Sequence, residues 1–293
     1  MTPWNYACRY LAIDVPGVAT GPVKIGRYHR GAPTKAKDEL LGTVRDHFGH
    51  HKADRLYRLA TTINGQPFAV QSYDEIKLNL QNPFIGKGSP EECQLVLQLA
   101  VALKLVRPQS LQTWADLNLG LDCNGFVGNY LVHDLLAKPW RNTASAKEVG
   151  PSQTIDHYET HWCEAPVTDP GTLDRSRTYL VMRVDGKGRV IPQVSGGMGA
   201  HIAITEPGDM MDHAFVANSF GGMDWQAAQL GMYGKKALRS VESAGPHNGD
   251  HGVDRNWLVI LGPGKPKDSL VVMRDKMRFR DTVRIAPLRA TPV

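Results

Sequence analysis

The sequence predicts an α+β fold, in which helices come first along the chain and an antiparallel β-sheet follows. Two observations lead to this prediction. Up to about residue 137 apolar residues recur at helical spacing, whereas beyond residue 177 short β-type segments alternate with turn sequences. The chain has 293 residues, 42% of them hydrophobic and 22% charged, which is typical of a globular protein with a sizeable core.

The first part of the chain, residues 1–80, is interpreted as a mixed α/β region of unknown role. Within it, β-type segments at 10–15 and 67–71 flank a polar stretch, 34–59, for which a helix is predicted. Residues 81–293 are expected to form the domain that carries the chemistry, either separately or as one integrated domain with the first region.

The clearest predicted helix begins after Ser89. Ser89 can cap the helix, Pro90 suits its first position, and Glu92 stands three residues after the cap, which together form a capping box. The residues that follow, 93–106, are apolar on most helical faces, which indicates a buried helix. Cys93 lies in this helix and is therefore predicted to be a core residue.

A second helix is predicted over 123–137, where apolar residues form a stripe at helical spacing and Pro139 ends the pattern. The sheet is predicted from residue 178 onward, and its first two strands flank the turn sequence Asp185-Gly186-Lys187-Gly188. The predicted strands are 178–184, 189–194, 201–205, 214–218, 257–261, 269–274 and 282–285.

The charge of the chain bears on its partners. A net charge of +5 and a pI of about 9.0 favour an anionic partner such as a cell-wall polymer, a membrane surface or nucleic acid. No lysine and arginine block typical of nucleic-acid binding occurs, so nucleic acid is not expected. No apolar run is long enough for a membrane span, and no secretory signal is visible. We therefore expect a soluble protein made in the cytoplasm without a signal peptide.

Cys123 is the candidate nucleophile among the four cysteines, none of which forms a CxxC pair. It follows a glycine-containing turn and opens the second predicted helix. The partial positive charge of a helix N-terminus stabilises a thiolate, and the unpaired amides there can hold an oxyanion. The alternative interpretation is a buried cysteine in an amphipathic helix, and position alone does not distinguish the two.

His201 is the candidate general base, because a glycine-rich segment, 195–200, leads to it at the first position of a predicted strand. The order cysteine then histidine is that of cysteine hydrolases. A third residue should orient the imidazole, and the candidates are His213 and Asn218. If Thr205 and His213 flank a hairpin loop, His201 lies beside Asn218, and His213 is about 13 Å away. This geometry favours Asn218.

Two motifs resemble those of the NlpC family of papain-like cell-wall endopeptidases. Asp-Cys-Asn-Gly-Phe-Val at 122–127 resembles the family's Asp-Cys-Ser-Gly-(Leu/Phe)-Val, and Gly-Ala-His-Ile-Ala-Ile at 199–204 resembles its Gly-His-(Val/Ile)-(Gly/Ala)-Ile strand. Asn124 departs from the family's serine, and Phe84 stands where the family has an upstream tyrosine. The family's spacing favours His213, not Asn218, as the third residue.

The resemblance implies a papain-like fold, in which the helix bearing the nucleophilic cysteine packs on an antiparallel β-sheet, with extra N-terminal elements. It implies a cysteine peptidase or amidase that cleaves peptidoglycan stem peptides without a cofactor, as bacterial effectors and phage lytic proteins do. Without a signal peptide, such an enzyme needs a specialised secretion system or release on lysis. The expected partners are peptidoglycan or another amide substrate, and a secretion apparatus or an immunity protein.

Two alternatives to this function remain open. The same chemistry serves toxin-like deamidases and acyltransferases that act on a protein or lipid. A non-catalytic, zinc-binding module is the other alternative, because His157, His161 and Cys163 include a histidine pair at helical spacing. This cluster lacks the glutamate of a His-Glu-x-x-His motif, and no metal site is predicted.

Overall fold

A computed structural model of the protein describes residues 1–18, 21–28, 34–49, 73–132, 150–192, 199–212, 236–243, 253–274 and 280–289. The chain divides into two compact units. The first, here called the helical unit, comprises Met1, Asn5–Ser152 and Ser243–Val253. The second, here called the barrel unit, comprises Thr2–Trp4, Gln153–Glu242 and Asp254–Val293.

The elements described in the N-terminal half of the chain are helices and 3-10 turns. Its helices are α1 (Pro3–Leu11), α2 (Lys35–Gly49), α3 (Tyr73–Gln81), α4 (Pro90–Ala102), α5 (Leu111–Asn118) and α6 (Cys123–Tyr130), with 3-10 turns at Asn82–Ile85 and Pro108–Ser110. Within the described ranges, no helix has both the length and the apolar character needed to cross a membrane.

The capping box predicted at the start of α4 is confirmed. Ser89 Oγ accepts the Glu92 N–H at 3.2 Å, and Glu92 Oε2 accepts the Ser89 N–H at 2.8 Å. Buried residues lie on most faces of α4, and Cys93 is completely buried among them. The prediction of a buried helix with Cys93 in the core is therefore confirmed.

The barrel unit contains α7 (Ile155–Trp162), a 3-10 turn at Pro170–Thr172 and six strands. The strands are β1 (Tyr179–Arg183), β2 (Ile202–Asp212), β3 (Lys236–Ser243), β4 (Val253–Pro263), β5 (Leu270–Arg274) and β6 (Arg280–Pro287). They pair in sequence order, and β1 also pairs antiparallel with β6, which closes the sheet into a barrel. Val181, for example, lies opposite Ala203 of β2 on one side and Ile285 of β6 on the other.

The predicted fold, a papain-like helix packed on an open antiparallel sheet, is wrong, because the six strands form a closed barrel. The alternation of apolar and polar residues is the same in an open sheet and in a barrel, so it could not predict the pairing of β1 with β6. Of the predicted hairpin, only β1 is a strand, and its continuation is a single bridge between Val184 and Val190. The predicted strand 214–218 lies outside the described residues.

The barrel interior is apolar. Side chains from one face of every strand form a single buried cluster with Val167 and Leu173 from the segment that precedes β1. The strand residues in this cluster are Tyr179, Val181, Ala203, Leu238, Leu258, Ile260, Leu270, Val272, Val283 and Ile285. These side chains form a packed apolar core inside the barrel.

Candidate functional site

Cys123 is the first residue of α6, as predicted, and Asp122 fixes the helix start. Asp122 has an extended backbone, and its carboxylate accepts the N–H of Gly125. The ammonium group of Lys87 lies 2.9 and 2.8 Å from the two carboxylate oxygens of Asp122, and the Asp122 N–H donates to Gly86 O at 3.0 Å. These bonds hold the helix start against the segment that precedes α4.

A close backbone contact explains why the Cys123 motif has glycine at position 125. A Cβ built on Gly125 would stand 1.9 Å from the carbonyl oxygen of Gly86, so only glycine permits this close approach. Asn129, one turn later in α6, donates to Lys87 O at 2.9 Å. Phe84 lies just before Gly86, is completely buried and packs edge-on against the Trp114 ring at 6.0 Å between centroids.

The thiols differ in their surroundings. Cys123 is 1% exposed, whereas Cys8 is exposed to solvent. Burial raises the pKa of Cys93 well above its usual value, and the neighbouring Glu92 raises it further. Burial, with a smaller contribution from Glu159, raises the pKa of Cys163 to about 12. Cys93 and Cys163 are therefore protonated at neutral pH and are not candidates for the nucleophile.

His201 lies immediately before β2, and its carbonyl oxygen extends the strand pairing by accepting the Arg183 N–H at 3.0 Å. Its side chain is 17% exposed, and its ring Nε2 is hydrogen-bonded to Oε2 of Glu242 in β3. The prediction that this histidine opens a strand is thus correct to one residue. Glu242 is not among the site residues predicted from the sequence.

Glu242 is completely buried and is surrounded by donors. Arg274 Nε lies 2.9 and 3.0 Å from its two carboxylate oxygens, and Asn256 Nδ2 donates to Oε1 at 2.9 Å. Burial alone would raise the pKa of Glu242, but the charges of Arg274 and His201 hold that pKa well below its usual range. His201 is therefore bound to an ionised carboxylate at neutral pH.

A signal in the sequence could have identified Glu242. It continues the alternate positions of Leu238 and Ser240, so a charged residue falls on the face that points into the core. Buried charges of this kind need a partner of opposite charge. That partner, Arg274, lies two strands away in the chain, and a single sequence gives no sign of the pairing.

The prediction that Asn218 orients His201 depends on a loop after Thr205. This premise is wrong, because β2 continues through Asp212 and pairs with β3, with an irregularity between Thr205 and Met210. His213 and Asn218 lie outside the described residues, so the role of Asn218 stays a prediction. In the part of the chain that the structure describes, the carboxylate bound to His201 is that of Glu242.

The histidine cluster considered for zinc lies on α7. The rings of His157 and His161 are in contact with centroids 4.4 Å apart and planes tilted by 41°, and Cys163 follows the helix with a buried thiol. Among the residues described, no group of three or more histidine, cysteine, aspartate or glutamate side chains is arranged to hold a metal ion.

The two candidate catalytic groups thus have separate local settings. Cys123 belongs to the helical unit, at a capped helix N-terminus, and His201 belongs to the barrel unit, on a buried carboxylate. A thiol at a capped helix N-terminus can act as a nucleophile, and an imidazole on a buried carboxylate can act as a base.

No protein-family model, curated protein or solved structure matches the chain.

Proposed function

We propose that this protein is a cysteine hydrolase of amide bonds, with Cys123 as the nucleophile and His201 as the general base. The observation that carries the proposal is the bond from His201 Nε2 to the ionised carboxylate of Glu242. A carboxylate that accepts the Nε2 proton fixes the tautomer in which Nδ1 is the basic nitrogen. It also stabilises the imidazolium that forms when Nδ1 takes a proton.

The proposed reaction is acyl transfer to water. His201 takes the proton of Cys123, and the thiolate attacks the carbonyl carbon of the amide. The N–H of Cys123 and a neighbouring amide of the first turn of α6 bind the oxyanion. His201 then protonates the leaving amine as the C–N bond breaks. Water, deprotonated by His201, hydrolyses the thioester and restores the thiol.

For the substrate we propose a peptide amide of peptidoglycan. The resemblance of the motifs at 122–127 and 199–204 to those of the NlpC family supports this class, and the net charge of +5 suits an anionic cell-wall polymer. The other acyl-transfer reactions, deamidation and acylation of a protein or lipid, would use the same thiol and imidazole. They differ in products and not in catalytic groups.

The test is digestion of purified peptidoglycan, with the released fragments identified by mass spectrometry. We expect the natural protein to release fragments with a cut stem peptide, and Cys123→Ala and His201→Ala to release none. Cys8→Ser and His157→Ala are the matched controls and should retain activity. Full activity of Cys123→Ala would rule out the cysteine mechanism. Activity on a protein amide, with none on peptidoglycan, would rule out the substrate class only.

A further inference from the structure

Polar side chains lie together at one end of the barrel. The odd-numbered strands end there and the even-numbered strands begin there, because neighbouring strands are antiparallel. Every strand supplies one side chain, or in the case of β2 the residue just before it, to what we call the end cluster. Its members are Arg183, His201, Glu242, Asn256, Arg274 and Asp281.

The end cluster lies on the inward face of the strands. Every member but Glu242 stands two residues from a side chain of the apolar core, as Arg274 does from Val272, and Glu242 stands four residues from Leu238. The side chains of Arg274 and Glu242 are only 4% and 0% exposed. The interior is thus apolar along most of its length and charged at this end.

The contacts of the end cluster form one continuous chain. Glu242 binds His201, Arg274 and Asn256, as described above. Arg274 also donates through a terminal nitrogen to Oδ2 of Asp281, and Arg183 Nε lies 3.4 Å from Oδ1 of the same carboxylate. With a neutral imidazole, two arginines balance two carboxylates. Arg274 is the member that contacts both acids.

We propose that Arg274 is a positioning residue for His201, which acts by holding Glu242 in place and ionised. A carboxyl group buried without a cation takes up a proton, because burial disfavours the charged form. Arg274 Nε contacts both carboxylate oxygens of Glu242, and its positive charge opposes this protonation. Asn256 fixes the orientation of the Glu242 side chain. A protonated Glu242 would no longer stabilise an imidazolium at His201. The catalytic consequence rests on the proposed function, whereas the coupling of Arg274 to His201 does not.

The test is an NMR titration of the His201 ring in the full-length protein, together with the pH dependence of hydrolysis. In Arg274→Met, Glu242 should become protonated, and the midpoint of the His201 titration should fall by about 1 pH unit. If Glu242 instead stayed ionised, loss of the arginine charge would raise that midpoint. A rise, or no change, would therefore overturn the proposal. Arg274→Lys keeps the charge and should stay within about half a unit of the natural protein.

Arg284→Met is the matched control, since Arg284 pairs in the same unit with Glu159 and the carbonyl oxygen of Gly188. Its His201 titration should be unchanged. In hydrolysis, Arg274→Met should lower kcat at least about tenfold with little change in KM, because an orienting group acts on the chemical step. Partial recovery in Arg274→Lys is expected.

Two further outcomes separate this inference from the proposed function. If the natural protein hydrolyses no amide but the midpoint of the His201 titration falls in Arg274→Met, the proposed function is wrong. The role of Arg274 in positioning His201 then stands. If Arg274→Met does not fold, Arg274→Gln takes its place, because it keeps an N–H donor for Glu242 but not the charge. Its His201 midpoint should also fall by about 1 pH unit, and a raised or unchanged midpoint would overturn the proposal.

Discussion

Gly125 is the residue whose replacement we expect to have the clearest effect on the thiol's surroundings. A Cβ on Gly125 would stand 1.9 Å from Gly86 O, a backbone atom that cannot turn aside. We therefore expect Gly125→Ala to lower the free energy of unfolding by about 1–3 kcal/mol. The matched control is Gly42→Ala in α2, where a Cβ would meet nothing within 4 Å, and which should stabilise by about 0.5–1 kcal/mol. Urea unfolding measures both, and equal effects would contradict the close approach.

The thiols should differ in their reaction with iodoacetamide. We expect Cys123, as the proposed nucleophile, to be alkylated in the native protein. Cys163 has a pKa raised to about 12 and should react at least about tenfold more slowly. Peptide mapping by mass spectrometry follows each site, with Cys8→Ser removing the exposed thiol. Equal rates at Cys123 and Cys163 would argue against a reactive Cys123.

At the scale of single elements, Glu92 in the capping box of α4 should make the stability of the protein depend on pH. Burial raises the pKa of Glu92 to about 8, although donors from Ser89, Asn82 and Asn79 lower it in part. Folded Glu92 then keeps a proton that the unfolded chain loses above its usual pKa of 4.5. Its contribution to stability is complete below that pH and is lost as the pH rises toward 8.

We therefore expect stability to fall between pH 5 and 8 by up to about 1.4 kcal/mol per pH unit from Glu92 alone. Glu92→Gln should remove this slope in urea unfolding, even though it weakens the capping box. Glu39→Gln, at an exposed position of α2, is the control and should leave the slope as it is. An unchanged slope in Glu92→Gln would show that Glu92 is ionised throughout.

Local sequence signals predicted the starts of α4 and α6, whereas they missed the strand β3. The starts of α4 and α6 depend on Ser89 and Asp122, which bond within three residues of themselves, so the sequence carries the information. β3 escaped prediction because Lys236, Arg239 and Glu242 make it polar for a strand. The inward charge of Glu242 is balanced by Arg274 of β5. Cys123 and His201 could be proposed from motifs, whereas the carboxylate on His201 could not.

At the scale of the whole molecule, the buried pair of Glu242 and Arg274 makes stability depend on acid in the opposite direction to Glu92. Because the pKa of Glu242 is lowered on folding, its contribution is present above its usual pKa of 4.5 and is lost as the pH falls below that value. Glu242→Met should lower the free energy of unfolding by about 3–5 kcal/mol, since it leaves Arg274 buried without that partner.

The double variant Glu242→Met with Arg274→Met should be less destabilised than Glu242→Met, and less sensitive to acid. Urea unfolding of Glu242→Met, Arg274→Met and the double variant at pH 3, 5 and 7 measures the difference. A double variant as unstable as the sum of the single variants would mean that the two side chains do not depend on each other.

The pairing of β1 with β6 has a consequence for the nascent chain on the ribosome. Tyr179 and Pro287, which face each other in this pairing, are 108 residues apart in the sequence. The barrel therefore stays open until β6 has been synthesised, and until then β1 presents an unsatisfied edge to other chains. Contacts so distant in sequence also form slowly. We expect a chaperone to hold this segment during translation, and the chain stalled before residue 280 to aggregate when released without one.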